Sequence, residues 1–278
     1  MKATTIERHN RTGLIVTAVL VVLVALGFGV VLGYEKLKGI YLEQCVITDM
    51  SSQVEISAGR MVLPSTIAEE LGLRVGTNLA LIDFAAKREE LLAKIPNLRE
   101  IRIRRHLPNR VTITFEEREP IARLGIRGQK GASGKVADRE GVVFYCARGT
   151  QLLPIIRETS APGTAAGKRL GNRAKAALRF VEACHEPEFQ ELGVLDVDTD
   201  KPDWLQATIN TGANYAQLKL AWEGMDDPAT PVSRASLIRQ LTHLRDAIRT
   251  RVGDGTVIWN ATDLSSPGRI YADTKGKL

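Results

Sequence analysis

The chain contains few aromatic, cysteine and histidine residues. Its 278 residues include 3 Trp, 5 Tyr, 6 Phe, 3 Cys and 4 His. So few aromatic side chains predict a core built mainly from Leu, Ile, Val and Ala, and so few Cys and His exclude a metal framework rich in them. No sequence repeat recurs at the periods of repeat proteins. Apolar residues make up 44% of the chain, which excludes a disordered protein and leaves room for one or two domains.

The chain also lacks recognisable catalytic motifs. Neither G-x-S-x-G nor H-E-x-x-H occurs, and the glycine-rich segments 128–135 and 162–168 depart from the phosphate-binding pattern. Cys184 and His185 are adjacent in a predicted helix, so their side chains point to different faces, unlike those of a thiolate–imidazole pair. We therefore predict a protein that is not an enzyme and that uses no cofactor, no metal and no small-molecule substrate. The cysteines match no zinc-binding spacing and are predicted to be buried free thiols, namely Cys45, Cys146 and Cys184.

A long charge-free stretch lies near the N-terminus. Residues 12–34 contain no charged side chain, and residues 14–32 read LIVTAVLVVLVALGFGVVL. About 20 such residues in one helix cross a hydrocarbon core ~30 Å thick. We predict one uncleaved transmembrane helix over 13–33, and a cleaved signal peptide or a water-soluble core helix are the alternatives. A small-xxx-small line, at which a second helix could pack, is formed by Ala25, Gly29 and Gly33.

The charges on either side of this stretch predict its orientation. The tail 1–12 has a side-chain net charge of +2, whereas 34–43 has a net charge of zero. The positive-inside rule therefore places the N-terminus in the cytoplasm and the bulk of the chain outside it. In that location a net charge of +6 is expected to face solvent or an anionic envelope polymer, and we expect no nucleic-acid partner.

A small α+β unit is indicated between residues 54 and 119. Val54–Ile56 alternates as a short strand. Thr66–Glu69 has the pattern of a capping box, which predicts the start of a short helix. Asp83 is a suitable N-cap for a second helix, whose apolar residues recur along one face. Two helices are thus expected after the first strand.

The pattern then changes to a period of two. Ile101 and Ile103 alternate with arginines, and Val111, Ile113 and Phe115 alternate with polar residues, which predicts a hairpin with one wet face. The element order is therefore β-α-α-β-β. The exposed arginines are expected to be solvated or to pair with nearby glutamates, and a second interpretation is a partner-binding face formed by Arg102, Arg104 and Arg105.

Three ordered segments of this unit carry a family resemblance. They read PNL at 96–98, IRRHLP at 103–108 and VTITFEEREPIA at 111–122. Behind a single apolar helix, this set resembles the POTRA module of the FtsQ/DivIB family of bacterial cell division proteins. The resemblance implies an α+β fold class: a single N-terminal transmembrane helix, a β-α-α-β-β POTRA domain and a mixed α/β second domain with a mostly antiparallel sheet. The predicted domains are a cytoplasmic tail 1–12, the helix 13–33, a linker 34–49, the POTRA domain 50–119 and a C-terminal β domain 120–278.

The residue pattern of the second domain also predicts its helices and strands, without the family resemblance. A hairpin is predicted over 136–144, with its turn at Gly141. Helices are predicted over 168–184 and 233–251. Strands are predicted over 192–197, 205–210, 215–221, 256–260 and 269–272.

The resemblance also implies a function. FtsQ-like proteins are non-catalytic, membrane-anchored scaffolds of the divisome, held in the lipid bilayer of the inner membrane at the septum. Their partners are FtsB and FtsL, and through these FtsW and FtsI of septal peptidoglycan synthesis. The family engages its partner by strand addition at a C-terminal strand, which here comprises Arg269, Ile270, Tyr271, Ala272 and Asp273.

Two other hypotheses follow from the same sequence. One is a membrane-anchored cell-envelope enzyme or wall-binding protein without a recognisable site. The other is a POTRA-bearing export or outer-membrane assembly factor, which is disfavoured because no further POTRA unit follows.

Overall fold

The structure is a computed structural model that describes residues 4–129, 131–146, 148–158, 163–212, 215–250, 258–262 and 270–273. The chain divides into two compact units. One unit comprises residues 1–58, 63–88 and 102–114, and the other comprises residues 59–62, 89–101 and 115–278. The predicted boundary between domains at 119 and 120 stays a prediction.

The first helix, α1, covers Thr4–Gln44 and is longer than the predicted span. Over the residues that the structure describes, no helix is long and apolar enough to cross a membrane. The predicted fold class is therefore wrong in its transmembrane helix. The side chains described in the apolar part of α1 begin at Leu20 and end before Glu35, which is fewer than the ~20 residues that a bilayer requires. The side chains of 13–19, together with those at positions 22 and 25, lie outside the described residues.

A three-stranded sheet follows, and the predicted β-α-α-β-β order is confirmed. The sheet has the strand order β1-β3-β2, and β1 is parallel to β3, with Val54 opposite Val111. A one-turn helix, α2, precedes it. The elements are α2 (Met50–Gln53), β1 (Val54–Ile56), α3 (Pro64–Glu70), α4 (Phe84–Lys94), β2 (Leu98–His106) and β3 (Arg110–Glu117).

The two helix starts differ from each other in how well the sequence predicted them. The Asp83 carboxylate accepts hydrogen bonds from the N–H groups of Ala85 and Ala86, so the predicted N-cap of α4 is confirmed. The capping box at Thr66 is wrong, because α3 already begins at Pro64, with no side-chain hydrogen bond at its N-cap. Proline suits the first helical position, since its fixed φ is helical and the N–H that it lacks would have had no partner.

The remaining elements form a nine-stranded sheet with two long helices. Its strand order is β12-β11-β10-β9-β8-β7-β4-β5-β6, and most neighbouring pairs are antiparallel, as predicted. The strands are β4 (Ala122–Ile126), β5 (Lys135–Ala137), β6 (Val143–Tyr145), β7 (Ile155–Glu158), β8 (Gly193–Asp198), β9 (Leu205–Asn210), β10 (Tyr215–Leu220), β11 (Ile258–Ala261) and β12 (Tyr271–Asp273). The helices are α5 (Asn172–Cys184) and α6 (Pro231–Thr250).

One face of this sheet carries the main core. Along β9, Leu205, Ala207 and Ile209 are buried, while the residues between them are half-buried. Alternation of this kind places one side of each strand in the core. Phe180 of α5 and Leu241 of α6 belong to the same buried cluster, so both amphipathic helices contribute to it. β12 lies at one end of this sheet, paired with β11.

Candidate functional site: a strand edge and a basic sheet face

The strand predicted to bind a partner lies at one end of the nine-stranded sheet. β12 is antiparallel to β11, with Tyr271 opposite Asn260 and Ala272 opposite Trp259. Within the described part of the chain, no strand pairs with the other side of β12. Arg269 lies outside the described residues, so the observed strand is shorter than the predicted Arg269–Asp273.

The side chains of residues 270–272 alternate between the core and solvent. Ile270 and Ala272 pack against the buried core of the second unit. Tyr271 points the other way, and 48% of its surface is exposed. The strand is thus held to the core by one row of side chains and presents an aromatic side chain to solvent with the other.

The opposite end of the sheet is closed by the chain itself. The N–H of Val143 in β6 donates to the carbonyl of Lys168 at 2.9 Å, and the carbonyl of Val143 accepts from the N–H of Gly167 at 2.7 Å. The side-chain amide of Asn97 donates to the carbonyl of Tyr145 at 2.9 Å. Among the described residues, no such segment covers β12. Within these residues, the outer side of β12 is therefore open to another strand, whereas that of β6 is bonded to residues 167–168.

The three arginines predicted as a POTRA contact face do not share one side of β2. Arg105 stacks on the ring of Phe84, 4.7 Å from its centroid, and donates to the carbonyl of Ile82. Its side chain therefore lies on the side of α4. Arg104 is one position and Arg102 three positions from Arg105 in the strand, so both point to the opposite, exposed face.

The glycines predicted to pack against another helix lie on α1. A Cβ added at Gly29 or Gly33 would meet nothing within 4 Å. The side chain of Ala25 lies outside the described residues. A contact of another helix with this line stays a prediction.

Sequence reasoning missed the role of Glu117 at the end of β3. Its carboxylate accepts hydrogen bonds from three consecutive backbone N–H groups: Arg60 at 3.0 Å, Met61 at 2.8 Å and Val62 at 2.7 Å. A Cβ at Gly59 would lie only 2.4 Å from this carboxylate. Glu117 thus holds the loop 60–62 in place through its carboxylate. The sequence signal was the presence of Glu117 in the EEREP segment at 116–120. The segment by itself does not show which groups the Glu117 carboxylate binds.

Arg118, the next residue, is the centre of a half-buried ion-pair cluster. Its guanidinium lies 2.6 Å from Asp138 and 3.4 Å from Glu140, and it donates to the carbonyl of Pro96. Desolvation raises the pKa of Glu140, but the hydrogen bonds and charges of Arg118 and Arg99 outweigh it, so this pKa lies below its usual value. The Glu-Arg pair of the family segment therefore has a structural role, which agrees with its interpretation as a marker of fold.

The candidate residues for catalysis do not assemble. Burial raises the pKa of the Cys184 thiol, which disfavours a thiolate, and the neighbouring His185 ring nitrogen bonds the Val181 carbonyl at 2.7 Å. All three cysteines are free and buried, as predicted. Within the described residues, no group of three or more His, Cys, Asp or Glu side chains could hold a metal ion.

Comparison with protein families matches residues 51–118 to the POTRA domain of FtsQ type. No curated protein matches the chain. The matched segment covers the three-stranded sheet and both of its helices, α3 and α4, so the chain contains an FtsQ-type POTRA domain. The resemblance found in the residues is thereby confirmed. The match covers this one domain of the chain and supports its resemblance to the FtsQ/DivIB family.

Proposed function

We propose that this protein is a non-catalytic scaffold of the divisome that binds FtsB and FtsL at the septum. Through these partners it would link FtsW and FtsI of septal peptidoglycan synthesis to the division site. The FtsQ-type POTRA domain supports the scaffold role. The observation that supports a binding site on this chain is the position of β12 at one end of the large sheet, where no other strand of the described residues pairs with its outer side.

The chemistry of the proposed contact is strand addition at β12. An edge strand offers a row of N–H and C=O groups, and a partner strand that lies beside it satisfies them. Ile270 and Ala272 hold β12 on the core, so it does not need to be ordered on binding. Tyr271 supplies an exposed aromatic side chain of the kind enriched in binding hot spots. Arg269 and Asp273 flank it in the sequence and would add charged contacts.

Substitution of Tyr271 tests this site. Tyr271→Ala should keep the circular dichroism spectrum of the wild type, because the side chain is exposed, and should lose co-purification with FtsB. Ile270→Pro is a second variant, which removes one backbone N–H next to the strand.

The matched control is Tyr145→Ala. Tyr145 is 59% exposed and lies on β6, at the closed end of the same sheet. This variant should retain FtsB. Normal FtsB capture by folded Tyr271→Ala and Ile270→Pro variants would place the site elsewhere, and equal losses in the control would mean that the effect is not specific to β12.

A fluorescent fusion tests the scaffold role separately. We expect the protein at midcell in dividing cells. A uniform distribution around the cell would argue for the envelope enzyme or wall-binding protein instead.

A further inference from the structure

The exposed face of the POTRA sheet has a cationic end. Arg104 and His106 of β2 and Arg110 of β3 are all exposed, whereas the intervening Val111 is buried. All three residues lie near the turn that joins the two strands. In the described part of the chain, no carboxylate lies within ion-pair distance of Arg104 or Arg110. Two guanidinium groups are therefore left with their charge uncompensated.

A groove continues from this end along β1. Its volume is about 600 Å³, and it is lined by β1, by α2 and by His106, Arg110 and Thr112. The carboxylate of Glu55 lies in the same groove and accepts a hydrogen bond from the Thr112 hydroxyl at 3.3 Å. The groove thus presents a cation and an anion on neighbouring strands.

The register sets the backbone positions of these two residues. Glu55 is opposite Thr112, and Arg110 precedes Thr112 by two residues on the same face of β3. Neighbouring strands lie roughly 4.8 Å apart and residues two positions apart along a strand roughly 7 Å apart, which places the backbones of Glu55 and Arg110 roughly 8 Å from each other. In an extended chain, residues i and i+2 lie on one side and are separated by roughly 7 Å. The backbone spacing of Glu55 and Arg110 is therefore close to that of alternate side chains in an extended peptide.

We propose that this groove binds an extended segment of another protein in which an acidic residue is followed two positions later by a basic residue. The acidic side chain pairs with Arg110, supported by His106 and Arg104, and the basic side chain pairs with Glu55. A uniformly anionic surface, such as a lipid bilayer, would bring negative charge against Glu55 as well as against Arg110. The mixture of charges selects a peptide over such a surface.

The hydroxyl groups of α2 do not compete for this ligand. Ser51 and Ser52 donate to the carboxylate of Asp49, at 2.8 Å and 2.5 Å. These hydrogen bonds lower the pKa of Asp49, the bond from Ser52 most and that from Ser51 next. Asp49 therefore remains charged near neutral pH and adds a second negative group next to the groove. This arrangement favours a basic residue at the α2 end of the bound segment.

Fluorescence anisotropy with labelled synthetic peptides tests the proposal on the full chain. The probe is a peptide of Asp-Thr-Lys-Thr repeats, compared with one of Asp-Thr-Asp-Thr repeats and with phosphatidylglycerol vesicles. We expect the mixed-charge peptide to bind more tightly than the acidic peptide, and its affinity to fall as salt increases. Arg110→Glu should not change the fraction of the protein that sediments with vesicles.

Charge reversals define the site. Arg110→Glu should weaken binding of the mixed peptide about tenfold, since an attractive contact becomes repulsive, and Arg104→Glu should weaken it less. Glu55→Lys should reverse the preference, so that the acidic peptide binds more tightly than the mixed one. The matched control is Arg74→Glu, an exposed arginine in the loop after α3, which should leave the affinity within about twofold.

Three results would overturn the proposal. One is an equal effect of Arg110→Glu and Arg74→Glu, and another is an unchanged preference in Glu55→Lys. The third is vesicle binding that Arg110→Glu weakens, which would assign the face to lipid. None of these results bears on strand addition at β12, because FtsB capture is measured separately.

Discussion

Removal of the Glu117 carboxylate should destabilise the protein more than any other single charge deletion on β3. Three backbone N–H groups, those of Arg60, Met61 and Val62, lose their acceptor in Glu117→Ala. Hydrogen bonds to a charged group contribute about 1.5–3 kcal/mol each. Arg60 is exposed, so water replaces one of the three bonds, while Val62 is only 6% exposed and its N–H is harder to solvate. We therefore expect a loss of about 3 kcal/mol.

Two further variants sharpen this prediction. Glu117→Gln keeps one oxygen for Met61 and Val62 and turns a donor toward Arg60, so it should cost about 1 kcal/mol. Gly59→Ala should be destabilising as well, because its Cβ would lie 2.4 Å from the Glu117 carboxylate and 2.6 Å from the carbonyl of Val62.

Urea unfolding followed by far-UV circular dichroism measures these differences. The control is Glu116→Ala, which removes an exposed carboxylate from the adjacent position of β3 and should change the free energy of unfolding by less than about 0.5 kcal/mol. The reasoning is refuted if Glu117→Ala is no less stable than Glu116→Ala, or if Glu117→Gln is less stable than Glu117→Ala.

Other consequences of the structure are measurable in the same protein. Arg105→Ala should cost about 1–2 kcal/mol of unfolding free energy, because it loses a ring contact and a hydrogen bond, whereas Arg104→Ala should be neutral in the same urea titration. Cys184 and the other two buried thiols should react with a thiol reagent only after unfolding, and a fast reaction of the native protein would contradict their burial. The lowered pKa of Glu140 stabilises the fold above about pH 4, the usual carboxyl pKa, and this stability is lost as the pH falls through the lowered value. Glu140→Gln should therefore flatten the acid limb of a plot of stability against pH, and an unchanged slope would contradict this assignment.

Local elements of this chain were predictable from the sequence where neighbouring residues determine the backbone conformation. The Asp83 cap, the alternation of β2 and β3 and the turn at Gly141, whose φ of +74° suits glycine, depend on interactions within a few positions. The capping box at Thr66 failed for an equally local reason, because Pro64 starts the helix two residues earlier. The transmembrane helix was predicted from composition alone, and the described part of α1 does not bear it out.

The POTRA domain was also recognisable from the sequence by itself. The three segments between 96 and 122 resemble an FtsQ-type POTRA module, and the family match covers 51–118. In the structure, the last of these segments uses its Glu-Arg pair to hold a loop and a hairpin in place. Residues that hold backbone groups tolerate few replacements, which explains why a short motif can mark the fold.

Only the tertiary structure decided which surfaces are available. The sequence placed Arg102, Arg104 and Arg105 on one contact face, but the packing of Phe84 draws Arg105 to the other side of β2. The strand order of the large sheet places β12 and β6 at its two ends, and hydrogen bonds with residues 167–168 close the end at β6. Strand order, register and edge coverage depend on contacts between residues distant in the chain. A pattern with a period of two or 3.6 fixes the face of each strand or helix, but it carries no information about which element lies beside it.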